Sequence, residues 1–314
     1  MRRAALIYNS ISGQHSAQRQ AAIDTVIATL RAGGVEVFPS EIDGPGSGAA
    51  LAQQAVRDGC DTVVVCGGDG TVHAALQGLA GTMTALGVVP FGTANALATN
   101  LGLAGSPARA ASKLLLAQPV RIPVGRIHYR NRQGEHRERY FLVAAGVGPD
   151  ARLMAEMDPG LKRRLGYLLY IIDGFRIWAC GQFPLFEARF DADGSGRTKR
   201  VSQLLAVRVS SFGGAVGTLA PGASLHSPTL HLLAFGTQSR WHYLKFVLGA
   251  ALGRHTFSQE IELIEATCVE CRKLDGSRDL LRAEADGEPL GGLPVRMEIV
   301  PDALTLLAPE GAEA

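Results

Sequence analysis

Cysteine is scarce in this chain, five in 314 residues. A sparse, odd set does not staple a fold and fits a reducing cytoplasm. Cys268-Val269-Glu270-Cys271 has the Cys-x-x-Cys spacing. No second pair or neighbouring histidine completes a zinc site, and in a strand-like run the two thiols need not face the same way. An excess of one charge is also missing. Lys and Arg number 31 against 29 Asp and Glu, a net charge of +2. That field is too weak to grip a phosphodiester backbone, which argues against nucleic acid as a partner. No stretch approaches the roughly 20 apolar residues of a membrane-spanning helix. The basic start Met1-Arg2-Arg3 leads into an apolar run too short for a signal peptide, and it reads as a first strand. The familiar nucleotide loops are absent as well: there is no Gly-x-x-x-x-Gly-Lys-Ser/Thr and no Gly-x-Gly-x-x-Gly. The sequence has no internal repeat.

Hydrophobic residues make up 46% and charged residues 19%, enough for a real core, and the length suggests about two domains. Residues 1–122 alternate strand and helix. Apolar runs at 4–8, 35–38, 62–66 and 85–89 read as strands, and Ile23, Val26, Ile27 and Leu30 form one stripe of a helix over 15–32. Repeated β-α units imply a mainly parallel sheet covered on both faces, with ligands at the carboxyl ends of its strands. After residue 123 the texture changes. Strand-like runs at 124–130, 140–145, 183–191, 201–209, 229–234, 260–264, 280–286 and 295–300 are joined mostly by Gly-, Asp- and Pro-rich turns, with helical stretches at 161–179 and 241–252. This predicts an antiparallel, β-rich sandwich domain over 123–302. The run 303–308 is a candidate to return to the first domain.

The densest chemical signal is Gly67-Gly68-Asp69-Gly70-Thr71, between the apolar run Thr62–Cys66 and a helical stretch. Glycine lets a backbone approach an anion, and a helix start aims N–H groups at it. An aspartate in the centre of such a loop repels a polyphosphate unless a divalent cation or a transferable proton lies between them. The loop therefore suggests phosphoryl transfer, although Gly-Gly-Asp-Gly alone also reads as a plain strand-to-helix turn. His73, on the next helical turn, can face phosphate or solvent. A second loop, Pro90-Phe91-Gly92-Thr93-Ala94-Asn95, follows the next strand. Thr93 offers a hydroxyl there, and Asn95 can cap the following helix or touch a ligand. Asn9-Ser10-Ile11-Ser12-Gly13 follows the first strand. Near the C-terminus stands Ala285-Asp286-Gly287-Glu288-Pro289; Asp-Gly is by itself a common turn pair.

These four motifs, in this order, resemble the diacylglycerol kinase catalytic family, and within it the soluble bacterial lipid kinases related to sphingosine kinases. The resemblance spans essentially the whole chain, including Gly146-Val147-Gly148-Pro149-Asp150 and Lys162-Arg163-Arg164. It implies an α/β nucleotide domain of the NAD kinase and diacylglycerol kinase type, a β-rich lipid-substrate domain, and an active site in the cleft between them. It also implies transfer of the ATP γ-phosphate to a lipid hydroxyl with Mg2+. On this reading Asn9, Ser12, Gly13, Gly67, Gly68, Asp69, Gly70, Thr71, His73, Thr93 and Asn95 hold the nucleotide. Asp286 is the acid/base aspartate, Asp69 helps hold the magnesium-polyphosphate, and Glu288 contacts magnesium or substrate. The implied partner is a lipid substrate. Lys162-Arg163-Arg164, before an apolar, aromatic helical stretch, fits docking on an anionic membrane surface or an ordinary helix packed on the sandwich, and a homodimer is left open.

The chain also departs from the family. Ser10 stands where proline is usual, and Asn95-Ala96 is the form more frequent among sphingosine kinases than among diacylglycerol kinases. After Ala220-Pro221-Gly222-Ala223, the segment 224–230 has no carboxylate, where several bacterial members carry an acidic pair around a structural magnesium. That structural cation is expected to be absent or its site rebuilt. Two other functions compete with lipid phosphorylation: an NAD or sugar kinase using the same glycine-aspartate loop, and a lipid- or nucleotide-binding protein without turnover.

Overall fold

The computed structural model describes residues 1–9, 16–44, 46–131, 133–149, 183–191, 196–212, 218–251, 259–276 and 281–311. They divide into two compact units, Met1–Val124 with Pro301–Ala314, and Gly125–Val300. Ser10–Gly13, Asp150, the expected helix 161–179 and the Lys162–Arg164 cluster lie outside the described residues.

The first unit contains β1 (Arg3–Tyr8), α1 (Ser16–Ala32), β2 (Glu36–Glu41), α2 (Ser47–Arg57), β3 (Thr62–Gly67), α3 (Asp69–Leu79), β4 (Ala85–Pro90), α4 (Ala96–Asn100) and α5 (Pro107–Leu116). Its strands run in the order β2-β1-β3-β4, all parallel. Every residue of β3 and β4 is buried. Strands buried on both faces need no polar alternation, which is why these two read as unbroken apolar runs. Ile23, Val26 and Leu30 of α1 are fully buried, as their spacing predicts. Helix α5 was not anticipated from the sequence. Ser106 caps it, its Oγ accepting from Arg109 N, and Pro107 sits at the first helical position.

The second unit contains β6 (His136–Phe141), β7 (Ala144–Val147), β8 (Phe186–Asp191), β9 (Arg197–Val201), β10 (Gln203–Val207), β11 (Leu230–Phe235), α6 (Arg240–Ala251), β12 (Ile261–Ala266), β13 (Cys268–Lys273) and β14 (Arg282–Ala285). β5 (Gln118–Arg130) begins in the first unit and enters this one at Gly125. The long β15 (Glu288–Ala308) serves the second unit up to Val300 and the first from Pro301. Its final stretch pairs parallel with β4, Thr305 opposite Ala85.

Strands β12-β11-β10-β7-β14 pair antiparallel in that order, and β8 pairs antiparallel with both β9 and β13. Phe186, Ala188 and Phe190 are buried while Glu187, Arg189 and Asp191 are exposed, the period-two signature of a sheet with one covered face. They share a core with Leu204, Ala206, Leu232, Ala234, Val269 and Cys271. The alternate residues of β10 and β11, Leu205, Val207, Leu233 and Phe235, join a second core with Tyr243 and Phe246 of α6. The unit is thus a β-sandwich with a helix on one outer face. Cys271 is buried and Cys268 is not, so the Cys-x-x-Cys pair does not present a common face.

The main differences from the sequence expectation fall where backbone groups leave the ladder. The run 140–145 is two strands, parted at Leu142 and Val143, whose amides donate to Asp286. The run 201–209 breaks at Ser202, whose N–H donates to Phe235 O at 2.7 Å. Conversely, the runs 295–300 and 303–308 form one strand that passes through Asp302 at φ 45.

Glu298 ties β15 to β5. Arg126 donates to its Oε1 at 2.6 Å, His128 Nε2 lies 3.0 Å from the same oxygen, and Arg296 Nε donates to Oε2 at 3.1 Å. Burial pushes this carboxyl up, but the bonds from His128, Arg126 and Arg296 outweigh it and hold it at about 2. A depressed carboxyl stabilises the fold above its unfolded value and loses that contribution as pH falls. Glu298→Gln is therefore expected to cost about 1–3 kcal/mol near neutrality, the worth of charged hydrogen bonds. The gap from the parent protein should close between pH 4.5 and about 2. Urea midpoints across that range measure it; a gap that does not change with pH would show that the carboxylate charge contributes nothing.

Candidate active site

Register in the parallel sheet brings three chain segments to one edge. Tyr8 lies opposite Cys66, and Gly67 opposite Pro90. The residues that follow, Asn9, Gly68 and Phe91, therefore leave neighbouring strands at the same end. Phe91 N donates to Gly67 O at 2.9 Å, which joins the second and third of these loops. A Cβ built on Gly92 would stand 2.7 Å from Gly68 Cα, and one on Gly68 would stand 3.2 Å from Gly92 Cα. The two backbones touch, and no side chain fits between them.

Helix α3 starts at Asp69, with Gly68 extended at the cap position. Thr71 and Val72 donate to Gly68 O at 2.9 and 3.1 Å, closing the first turn. Asp69 stands in that turn, where the helix dipole favours a carboxylate. Gly70 is exposed and Thr71 half-buried. His73 is buried, with 6% of its surface exposed, so of the two orientations left open by the sequence the solvent-facing one is excluded. In the neighbouring loop Thr93 is exposed. Asn95 does not cap α4 through its side chain. Its Oδ1 accepts from Gly92 N at 2.8 Å and its Nδ2 donates to Gly92 O at 2.7 Å, which clamps the loop.

No motif singles out Arg19 on α1. Its guanidinium lies 5.3 Å from the centroid of the Phe91 ring, at the same sheet edge. Burial lowers its pKa, and Cys66 acts in the opposite sense. Burial also pushes the Cys66 thiol up to about 12, which makes it an inert core residue rather than a nucleophile.

In the second unit Asp286 and Gly287 form the two-residue turn of the β14–β15 hairpin, with φ 48 and 79 and Ala285 opposite Glu288. Two positive φ angles define the turn that Asp-Gly favours. The Asp286 carboxylate accepts from Leu142 N at 3.0 Å, Val143 N at 2.8 Å and Ala144 N at 3.1 Å, and Asp286 N donates to Ala144 O at 2.8 Å. The side chain expected to be a base thus also ties the turn to three backbone amides. Two residues on, Glu288 is exposed.

Arg208 lies behind this turn, with 1% of its surface exposed. Its Nη2 donates to Leu225 O at 2.7 Å, in the segment that carries no carboxylate. Its own N–H donates to Val143 O at 3.0 Å, one residue of the group that holds Asp286. Burial pulls this guanidinium down to about 10, with the Asp286 charge opposing. Among the described residues no three His, Cys, Asp or Glu side chains converge as a metal cluster.

Glycine loops at one edge of a parallel sheet, with a β-sandwich in the same chain, define a two-unit α/β and β-sandwich protein with an anion-binding edge. Comparison with known proteins places it more closely. Residues 3–127 match the diacylglycerol kinase catalytic domain, and residues 142–308 match the YegS C-terminal NAD kinase beta sandwich-like domain. The chain belongs to the diacylglycerol kinase family of lipid kinases. It is 27% identical over 299 residues to the diacylglycerol kinase of Bacillus subtilis, covering 94% of this chain and 92% of that one. It is 29% identical over 272 residues to a YegS-like lipid kinase of Chromohalobacter salexigens, covering 85% and 82%. In fold it matches a diacylglycerol kinase structure from Bacillus anthracis, with a TM-score of 0.71 at 17% identity over 99% of this chain and 98% of that one.

Proposed function

We propose that the protein transfers the γ-phosphate of ATP to the hydroxyl of a lipid. The observation that carries this reading is the contact of Gly68 with Gly92 at the edge where β1, β3 and β4 end. A paired cradle without side chains fits a polyphosphate, because backbone N–H groups can approach the anion where a Cβ would bar it. Asn9, Ser12, Gly13, Gly67 to Thr71 and Thr93 would line the donor site. Asp69 would hold magnesium with the phosphates; such a cation spreads the charge on the phosphoryl oxygens. Asn95 keeps its own loop in shape through Gly92, and His73, on the first turns of α3, is buried.

In the second unit we assign the proton acceptor to Glu288, in place of the Asp286 expected from sequence. Asp286 holds the turn through three amides and so sets where Glu288 stands. Glu288 takes the proton from the lipid hydroxyl as that oxygen bonds to the γ-phosphorus and the bond to the ADP oxygen breaks. Positioned bases of this kind contribute about 10²–10⁴ in rate.

Arg208 is a positioning residue for that turn. Arg208→Met is expected to cost about 1–3 kcal/mol, since the Leu225 carbonyl loses its donor. It should also lower kcat while leaving nucleotide affinity unchanged, with Arg208→Lys intermediate. Hydrogen exchange at the amides of residues 142–144 reports the loosening; if kcat holds while those amides exchange faster, the turn does not set the base.

The donor site is tested by calorimetry with ATP in the presence and absence of magnesium. Magnesium-dependent binding that Asp69→Asn weakens supports the assignment. Binding that ignores both the metal and Asp69 would remove it.

A further inference from the structure

Helix α6 carries large apolar side chains on two faces. On the inner face Tyr243 and Phe246 are buried. The Tyr243 ring lies 4.6 Å from Phe183 and 4.7 Å from Phe235, and Phe246 meets Phe235 edge-on at 5.2 Å. The Tyr243 hydroxyl lies 2.8 Å from Ser202 Oγ, itself fully buried. This face fixes the helix to the sandwich.

The outer face mixes large apolar side chains with cations, where that of an ordinary surface helix is polar throughout. Trp241, Lys245 and Leu248 follow one another at i, i+4 and i+7 and so share one side of the helix. Trp241 is 64% exposed and Leu248 54%. Arg240 and Lys245 are exposed beside them. The helix sequence RWHYLKFVLGAA contains no carboxylate. Glu260 pairs with His242 of this helix at 2.6 Å.

We infer that this face of α6 docks on the surface of an anionic phospholipid bilayer. A tryptophan and a leucine at the level of flanking cations match the headgroup boundary, where the indole buries its ring and keeps its N–H wet. Lysine is depleted from the cores of protein interfaces, so Lys245 between Trp241 and Leu248 suits lipid phosphates better than a protein partner. The inference rests on the lipid-acceptor reading, because such an acceptor lies in a bilayer and the enzyme must come to it. It adds the surface by which it comes.

The test uses the full chain with Trp178→Phe, which leaves Trp241 as the one tryptophan of the two in the sequence. Vesicles of phosphatidylcholine mixed with phosphatidylglycerol should sediment the protein and shift Trp241 emission to the blue; vesicles of phosphatidylcholine alone should do so much less. Trp241→Ala with Leu248→Ala, measured by sedimentation, should lower partitioning about tenfold or more, from the apolar surface no longer buried. Arg240→Gln and Lys245→Gln should each cost about fivefold on the anionic vesicles, about 1 kcal/mol per charge, and almost nothing on neutral ones. Phosphorylation of a detergent-dispersed lipid should be unchanged in these variants. If the parent protein phosphorylates no dispersed lipid, the lipid-kinase reading fails, whatever the vesicles show. The docking face is overturned by sedimentation without a shift in Trp241 emission, by equal partitioning onto both vesicles, or by no partitioning at all. It is also overturned by self-association that Trp241→Ala abolishes, which would give the face to a second copy of the chain.

Discussion

Glu288→Gln should lower kcat with a lipid acceptor by about 10²–10⁴-fold, the loss that follows removal of a positioned base. Nucleotide affinity and thermal stability should stay near those of the parent, because the exposed Glu288 side chain supports no packing. Asp286→Asn is the informative comparison. An amide offers one acceptor oxygen where the carboxylate serves Leu142, Val143 and Ala144. That variant should lose stability as well as turnover, by about 1–3 kcal/mol for the backbone donors left unpaired. The pH–rate profiles separate the roles further. With Asp286→Asn the acidic limb should persist at reduced height, since the base is still present; with Glu288→Gln it should vanish. If instead Glu288→Gln keeps near-full turnover and Asp286→Asn abolishes the acidic limb in a stable protein, Asp286 is the base despite its amides.

The second large effect is expected at Gly92. An alanine there would place Cβ 2.7 Å from both Gly68 Cα and Asn95 Oδ1. One partner is backbone and the other is the clamp of the loop, so neither yields cheaply. Overpacking of this kind costs about 1–3 kcal/mol, spent here on parting the two loops that would grip the polyphosphate. Affinity for magnesium-ATP should fall by about tenfold or more, with the β-sandwich signals of an NMR spectrum unmoved. Unchanged affinity in a folded Gly92→Ala protein would place the nucleotide elsewhere.

The glycine loops were legible because the signal is local. Glycines directly after apolar strands, followed by helical spacing, mark strand-to-helix turns, and parallel pairing then sets them side by side. The division into an α/β part and a β-rich part was legible for the same reason, through the change in periodicity near residue 123. The different surroundings of two nearby carboxylates were not legible. Asp286 and Glu288 are two residues apart, and what separates them is a set of amides 142 to 144 residues away. Arg208 was equally hidden, since an arginine read by type belongs to the surface, whereas this one is among the largest fully buried side chains. The break at Ser202 escaped for a related reason. Its hydroxyl is held by the Phe235 and Thr237 carbonyls, contacts that exist only once β10 and β11 have paired. Arg19 has no motif to mark it, and only folding brings it over Phe91.

The central claim is phosphoryl transfer to a lipid hydroxyl, and one assay bears on it most directly. The protein is incubated with γ-labelled ATP, magnesium and a mixture of detergent-dispersed diacylglycerol, sphingoid base, NAD and hexose, and the label is followed into organic and aqueous phases. The account predicts label in an organic-soluble phospholipid, formed by the parent protein and lost in Glu288→Gln. Label in NADP or a sugar phosphate, with none in the organic phase, would contradict it.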